Sequence, residues 1–224
     1  MPRPHTSVSQ EDYLKAIWEI VQEEQVPISA RLAEELHVTP PAVTAALKRM
    51  TRAGHVKVQR DGRILLTAKG REVAEHLSLR HRLAEKLLTD VIGLEWSKVH
   101  EEAERLEHAI SPEVEALLLK RFGAESSCPH GVPLYGGLAK LKKKSGAVPL
   151  AEMNAGDRVE VLRVAEKDPK FLEFVDKIQM KPGARVRILH KEYDETMTLD
   201  VDGAASGKIH LGKPATSRIW VRAL

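Results

Sequence analysis

Histidine and glutamate side chains are concentrated in residues 96–110, WSKVHEEAERLEHAI, at spacings that suit a metal ion. If this stretch is one helix, each residue turns by about 100°, so four potential ligands share an arc of about 100° on one face. These ligands are His100, Glu104, Glu107 and His108. The sequence therefore predicts two imidazoles and two carboxylates that face the same bound group.

A second pair of potential ligands, His81 and Glu85, lies upstream in RHRLAEKLL, at a spacing that places one above the other on a helix. A turn at Gly93 brings this helix beside the next. Imidazole and carboxylate suit Mn, Fe, Co, Ni or Zn, and no thiolate lies among them to select a softer metal. Residues 95–115 hold seven acids and two bases, a repulsion that a cation relieves. A solvated acidic surface is the ordinary alternative, but six ligands together favour a metal site.

Composition sets the class of protein. The chain has 224 residues, 42% hydrophobic and 30% charged, as in an ordinary globular protein of one or two domains. The first ten residues contain no apolar run and no stretch approaches the ~20 apolar residues that span a bilayer, so we expect neither a secretory signal nor a membrane span. The single cysteine, Cys128, excludes intrachain disulfides and fits a reducing cytoplasm.

The first third of the chain has the pattern of a winged helix-turn-helix. Apolar periodicity predicts helices at 8–24 and 28–38, the second opened by Ser29, and a third helix that follows a Thr39 cap and stops at Gly54. Two alternating runs then flank Asp61-Gly62, which predicts a hairpin with a two-residue turn.

Charge on this segment indicates DNA binding. Residues 48–71 contain eight bases and one acid, the electrostatic footprint of a nucleic-acid surface. The start of a recognition helix contacts base edges. Because no Arg, Asn or Gln is present there, we expect direct contacts to bases to contribute modestly to recognition, and phosphate contacts and DNA shape to contribute a larger share. The candidates for base edges are Thr39, Pro41, Thr44 and Ala45, and those for phosphates are Ser29, Arg31, Lys48, Arg49, Arg60 and Arg63.

The middle and end of the chain differ in composition. A long helix at 67–92 has more apolar residues than a small core needs, which predicts a dimer interface. Residues 123–147 are rich in Gly, Pro, Ser and Lys and are interpreted as a linker. Cys128 and His130 have no partner at ligand spacing, so CPH is interpreted as loop. From Val148, five short alternating runs and one short helix predict a small β-barrel.

Five segments in order, EDYLKAIWEI, RHRLAEKLL, DVIGLEW, KVHEEAERLEH and CPHGVPLYGG, resemble the diphtheria toxin repressor family of metal-dependent transcriptional regulators. The resemblance covers essentially the whole chain and implies an α+β multidomain fold: a winged helix-turn-helix, a helical metal-binding and dimerisation domain, and an SH3-like β-barrel. It implies a homodimer that binds double-stranded operator DNA and represses metal-uptake genes. The corresponding domains are 1–72, 73–137 and 148–224, with a linker at 138–147.

The resemblance also implies two metal sites. It assigns Asp12, Glu104, Glu107 and His108 to a primary regulatory site. It assigns His81, Glu85 and His100 to an ancillary site, for which Glu166 is the nearest match to a ligand from the SH3-like domain. A metal shared by Asp12 and the dimerisation helix would restrict the motion of each DNA-binding domain in the dimer. The two domains would then be held at the spacing of two operator half-sites, about 34 Å apart.

The identity of the metal follows from two departures from iron-responsive members. At the positions of Asp12 and Glu104, the iron-responsive members have Met and Cys. The manganese-responsive members have carboxylates at both positions, as this chain does. Oxygen ligands suit Mn(II), although Fe(II) lies above Mn(II) in the usual order of affinity. Lys15 replaces a glutamate of the paired-metal manganese regulators, which favours two separate sites.

Two other classes of function stay open at this point. A metallohydrolase would use the same cluster, but it needs an open coordination position and a cleft, and no HExxH motif, paired-carboxylate motif or nucleophile elbow is present. An architectural DNA-binding protein would bind DNA regardless of metal.

Overall fold

The computed structural model describes residues 10–203 and 207–224. The chain divides into two compact units, Met1–Arg80 and His81–Leu224. In the described parts of both units, no helix is sufficiently long and apolar to traverse a bilayer.

Three helices form the core of the first unit: α1 (Gln10–Gln22), α2 (Ser29–Glu35) and α3 (Pro40–Arg52). Their apolar residues recur every three or four positions, so one face of each helix is buried. The fully buried side chains of this core include Leu14, Ile17, Leu32, Val43 and Met50. The first two residues of the helix predicted at 8–24 lie outside the described residues.

The predicted helix starts are confirmed. Helix α2 begins at Ser29, and Ile28 is its N-cap. Thr39 is the N-cap of α3, although its side chain makes no capping hydrogen bond. Pro40 follows at the first helical position, where a missing backbone N–H costs nothing.

The predicted hairpin is present, with a different turn. Strands β1 (Val56–Val58) and β2 (Ile64–Leu66) are antiparallel, with Val58 opposite Ile64. The prediction of a two-residue turn is wrong, because Gln59 N–H still donates to Arg63 O (2.8 Å), which leaves a three-residue loop. Gly62 takes φ +83° in this loop, as expected for a type I turn followed by a left-handed residue.

The helix predicted at 67–92 is α4 (Ala68–Lys86), continued by a π-helical turn at Leu87–Ile92. Thr67 caps its start, where its hydroxyl accepts from Gly70 N–H at 3.1 Å. Gly93 ends the turn in the left-handed conformation, as its lack of a Cβ allows.

The ligand-bearing stretch 96–110 is not one helix. Helix α5 spans Val99–Leu106 and is followed by a 3-10 turn, Glu107–Ala109. The angular positions predicted for Glu107 and His108 are therefore wrong, because a 3-10 turn has about three residues per turn. Ser111 then caps α6 (Pro112–Phe122) through Val114 N–H. Helix α7 (Gly137–Ser145) occupies most of the linker predicted at 138–147.

The remaining strands and helices form the barrel. The five predicted strands are β4 (Arg158–Val164), β5 (Arg185–Lys191), β6 (Met197–Val201), β7 (Ile209–Leu211) and β8 (Ile219–Ala223). A short β3 (Val148–Pro149) and a 3-10 turn (Leu150–Glu152) precede them, α8 (Pro169–Lys177) is the predicted helix, and α9 is Lys213–Thr216. All pairs are antiparallel, in the order β3-β8-β4-β5-β6-β7.

Alternation of side chains builds the barrel core. Along β4 and β5, every second residue is buried, including Val159, Val161, Val186 and Ile188. The two-residue β3 is too short to show this alternation, which is why it is missing from the prediction. A bulge in β4 between Val161 and Arg163 shifts its register against β8.

Replacing Gly70 with alanine is expected to destabilise the first unit. A Cβ at this position lies 2.1 Å from the carbonyl oxygen of His55, so backbone must move. Helix propensity favours alanine by about 1 kcal/mol, but overpacking costs about 1–3 kcal/mol. Thermal denaturation followed by circular dichroism should show a lower melting temperature for Gly70→Ala. As a control, Ala68→Gly on the exposed first turn of α4 reports the effect of helix propensity alone. A Gly70→Ala protein as stable as the wild type would contradict the close approach of Gly70 to the His55 carbonyl.

Candidate metal centre and nucleic-acid interface

The second unit brings His81 and Glu85 of α4, His100 of α5 and Glu107 into one buried cluster. His81 Nδ1–H donates to Glu107 Oε2 at 2.6 Å, and His81 Nε2 lies 3.0 Å from His100 Nδ1. Glu107 reaches this position because the chain tightens into a 3-10 turn at that residue. The resemblance assigned Glu107 and His81 to different sites, yet their side chains are in direct contact.

Glu85 is the centre of the cluster. Its Oε1 lies 3.2 Å from His81 Nε2, 3.2 Å from His100 Nδ1 and 3.1 Å from His130 Nδ1. The carboxylate is fully buried, and its Oε2 has no hydrogen-bond partner among the described residues. One carboxylate therefore faces three imidazoles that come from three separate segments.

Residues 128–131 form a turn outside the helices and strands, as predicted, but they also contribute to this cluster, which corrects the expectation that Cys128 and His130 have no partners. His130 Nδ1 lies 3.7 Å from Glu166 Oε2, and Cys128 Sγ lies 3.9 Å from the same oxygen. Both Cys128 and His130 are buried. Their partners are distant in sequence, so ligand spacing along the chain gave no signal, and only the CPH motif itself pointed to them.

Neighbouring charges set the protonation of the cluster. Burial alone would raise the pKa of Glu85, but the positive charges of His130 and His81 and hydrogen bonds from His100 and His130 hold it well below its ordinary value. Burial opposes the charged form of His130, yet the adjacent Glu85 and Glu166 carboxylates raise its pKa. Burial, followed by the charges of Glu85 and Glu166, raises the pKa of the Cys128 thiol well above its usual value.

The arrangement fits a divalent metal ion. Two groups each have one ligand atom per residue within 4.8 Å of the others: Glu85, Cys128, His130 and Glu166, and also His81, His100 and Glu166. The orphaned Glu85 Oε2 is a buried anionic oxygen that a cation would satisfy. Carboxylate, imidazole and one thiolate together suit a borderline metal.

The other predicted ligands are more exposed. Glu104 is 57% exposed in its side chain, whereas Glu107 is 2% exposed. Glu104 Oε1 lies 3.7 Å from His100 Nε2, and His108 Nε2 lies 3.7 Å from Glu107 Oε1. Asp12 belongs to the first unit, where it is half-buried in the first turn of α1.

The predicted base-contacting residues share an exposed face of the first unit. Pro41, Thr44 and Ala45 are exposed on α3, on the side opposite its buried Val43 and Met50. The Thr44 hydroxyl donates to Pro40 O at 3.1 Å, so its methyl and its oxygen lone pairs stay available. Thr39 is exposed at the start of the helix.

The predicted phosphate contacts are mostly exposed as well. Lys48, Arg49, Arg60 and Ser29 are exposed, and Arg31 is half-buried, with its guanidinium donating to Val26 O. In the hairpin loop, Arg63 Nε lies 2.6 Å from Asp61 Oδ2. This acid partly neutralises the basic surface of the β1–β2 hairpin, which is the wing of the winged helix-turn-helix.

Comparison with known proteins identifies the family. The chain matches the models of the iron dependent repressor N-terminal DNA binding domain at residues 5–64, the iron dependent repressor metal binding and dimerisation domain at 67–135, and the FeoA domain at 148–223. It is 36% identical over 190 residues to the iron-dependent repressor IdeR of Mycobacterium tuberculosis, with 80% of this chain and 82% of that protein covered. The chain belongs to the diphtheria toxin repressor family. This membership explains the winged helix-turn-helix, the helical segment with its cluster and the SH3-like barrel as one architecture.

Solved structures of the family agree with the fold. A manganese-dependent transcriptional repressor in complex with manganese superposes with a TM-score of 0.84 at 31% identity, covering 96% of this chain and all of the other. The apo form of the manganese-activated repressor ScaR superposes with a TM-score of 0.78 at 27% identity, covering 95% of this chain and all of the other. Family members named for manganese and for iron thus both resemble the chain.

The charges of the cluster predict how the metal-free protein responds to pH. The lowered pKa of Glu85 contributes stability that is present above its ordinary value of 4.5 and is lost as pH falls through its folded value. The raised pKa of His130 contributes stability that is complete below 6.5 and is lost as pH rises through its folded value. We therefore expect the melting temperature of chelator-treated protein to fall as pH rises above about 6.5, through the raised pKa of His130.

Difference measurements isolate the contribution of His130. His130→Asn should flatten the decline in melting temperature over this range, whereas His190→Asn, on an exposed barrel position, should leave it unchanged. An identical decline in wild type and His130→Asn would show that His130 does not carry the effect.

Proposed function

We propose that this family member is a Mn(II)-activated homodimeric repressor of metal-uptake genes, in which metal holds the dimer in the form that binds operator DNA. The observation that carries this proposal is the buried cluster around Glu85, in a chain whose other unit is a basic winged helix-turn-helix. A bound cation would compensate the Glu85 Oε2 atom, which has no hydrogen-bond partner among the described residues. Binding of that cation could then regulate DNA binding by the first unit.

The ancillary site is proposed to be larger than the sequence predicted. His81, Glu85 and His100 form one side of it. Glu166 of the barrel would be the predicted fourth ligand, and Cys128 and His130 would add two ligands that the sequence did not predict. A bound divalent ion would supply the positive charge that lets these anionic groups stay buried together.

The primary site is proposed to consist of Asp12, Glu104, Glu107 and His108. Its support is the chemistry of the ligands and the state of Glu107, whose Oε2 accepts from His81 while its Oε1 faces His108. Because Asp12 belongs to the DNA-binding unit and the other three to the second unit, an ion shared by them would limit the motion of one against the other. Metal and DNA affinities must then be reciprocally coupled, typically by about 1–3 kcal/mol.

Manganese is proposed over iron because Asp12 and Glu104 are hard oxygen donors. One observation favours the Fe(II)-responsive alternative: Cys128 lies in the cluster, and a thiolate is a softer ligand than a carboxylate. Competition between the two ions on DNA under anaerobic conditions separates these readings.

We infer that the chain is a regulator and not an enzyme. A metallohydrolase must bring substrate to an open metal position, whereas Glu85 and His130 are fully buried in the second unit. A repressor acts at the chromosome, so we propose that the protein is cytoplasmic.

The domains are proposed to be 1–72, 73–137 and 148–224. Helix α7 makes the linker at 138–147 more ordered than a flexible tether.

Operator binding is proposed to use the exposed face of α3 and the wing. Thr39, Pro41, Thr44 and Ala45 would meet base edges, mainly through methyl groups and hydroxyls. The basic side chains and Ser29 would contact phosphates, so affinity should fall steeply with salt. The phosphate candidates are Ser29, Arg31, Lys48, Arg49, Arg60 and Arg63.

The direct test is a Mn(II) titration of DNA binding by fluorescence anisotropy at fixed salt. The probe is a labelled duplex selected from random sequence by the Mn(II)-treated protein. Mn(II) should strengthen binding by roughly 10- to 100-fold, and the double variant Asp12→Ala, His108→Ala should lose this enhancement.

A matched double variant, Asp200→Ala with His190→Ala, removes the same two residue types from exposed barrel positions and should keep the enhancement. Affinity that ignores Mn(II) in the wild type would favour an architectural DNA-binding protein. A full response in the Asp12, His108 variant would refute the proposed primary site.

Dimerisation gives a second prediction. The π-helical turn and α6 expose apolar side chains, among them Ile92, Val114 and Leu117, the last 60% exposed. Leu117→Glu would bury a charge in a dimer interface, so analytical ultracentrifugation should show a shift toward monomer and DNA binding should weaken. Leu224→Glu, at 62% exposure in the barrel, is the matched control. An unchanged dimer in Leu117→Glu would exclude this surface.

A further inference from the structure

We infer that Trp96 is a positioning residue that fixes the tautomer of His130 and fastens the Cys128–Gly131 turn to the metal cluster. This inference rests on the proposed metal site and adds a residue that is not itself a ligand. Trp96 lies between the π-helical turn and α5, only 8% exposed. The Trp96 side chain contacts both the Cys128–Gly131 turn and the core of the barrel.

The backbone of Trp96 determines which nitrogen of His130 carries hydrogen. His130 Nε2 lies 3.3 Å from the carbonyl oxygen of Trp96. A carbonyl oxygen can only accept, so Nε2 keeps its hydrogen. The nitrogen that would give up its hydrogen to bind a metal is therefore Nδ1, which faces Glu85 Oε1 at 3.1 Å and Glu166 Oε2 at 3.7 Å. Ligating histidines are typically oriented through their second nitrogen in this way.

The indole of Trp96 holds the turn itself. Its Nε1–H donates to Pro129 O at 2.8 Å, and its ring lies 4.7 Å from the His130 ring, tilted by 55°. The residue before His130 and its imidazole are thus both held by one side chain. Loss of the Nε1–H would free the Pro129 carbonyl and let the imidazole rotate away from Glu85.

The barrel holds the same turn from the other side. Val164 N–H, at the end of β4, donates to His130 O at 2.9 Å, and Glu166 follows two residues later. Gly131 is required here, because a Cβ on it would lie 1.9 Å from Leu162 O, and its φ is +92°. The turn is therefore clamped between Trp96 and β4.

Trp96 also belongs to the hydrophobic core of the barrel, together with Leu150, Val161, Phe171 and Ile188. Lys181 Nζ lies 5.3 Å from its ring. The side chain that orients His130 is thus part of the core that carries Glu166. Two ligands from different segments are aligned through one residue.

The test compares Trp96→Phe with Trp220→Phe. Phenylalanine keeps an aromatic ring in the core but lacks the Nε1–H donor. Trp220 is as buried as Trp96, at 9% exposure, but it belongs to a separate hydrophobic cluster with Leu138 and Ala147, and Arg163 lies over its ring. Each full-length protein is titrated with Co(II), and the charge-transfer absorption of the Co(II)–thiolate bond to Cys128 is recorded.

Wild type and Trp220→Phe should develop this absorption with equal affinity, whereas Trp96→Phe should bind about tenfold more weakly. The metal-free melting temperatures of the two variants serve to exclude a general loss of structure. Equal Co(II) affinity in all three proteins would overturn the role of Trp96. Absence of the thiolate absorption in the wild type would instead overturn the proposed site.

A measurement on the wild type covers the case in which Trp96→Phe does not fold. Long-range ¹⁵N–¹H correlation spectra of the protein with Zn(II) should show His130 with hydrogen on Nε2 and metal on Nδ1. Metal on Nε2, or hydrogen on Nδ1, would contradict the assignment.

Discussion

The burial of the Glu85 carboxylate among three imidazoles is the constraint on which the second unit depends. An ionised carboxylate away from water is costly unless it is paired, and removal of one partner from such a pair typically costs about 3–5 kcal/mol. The partners of Glu85 come from α4, α5 and the Cys128–Gly131 turn. Each of these segments must be held in place for the charge to stay buried.

This requirement explains features of the fold that have no role in the winged helix. The 3-10 turn after α5 brings Glu107 to His81. The left-handed Gly131 lets the turn approach β4, whose end leads directly to Glu166. The helical segment and the barrel therefore form one compact unit, and the cluster lies where they meet. A cation bound there would act on both.

The sequence predicted those parts of the site whose ligands are near one another along the chain. The pair His81 and Glu85 was found because helical spacing alone places two ligands on one face. His130 was interpreted as loop, because its partner Glu85 is distant in sequence and only the folded chain brings them together. The helix at 96–110 was predicted too long, since apolar and polar periodicity does not distinguish an α-helix from a terminal 3-10 turn.

The fold of the first unit was predictable for the same reason of locality. Its helices and hairpin are signalled by short-range periodicity and by Asp61-Gly62, whereas the length of the turn and the ends of the helices differ from the prediction. The function that links the two units depends on where metal binds. Anomalous diffraction from crystals grown with Mn(II) measures this directly: the account predicts one peak beside Glu85 and His130 and another shared by Asp12 and His108. A crystal with Asp12 turned away and no peak at either position would contradict it.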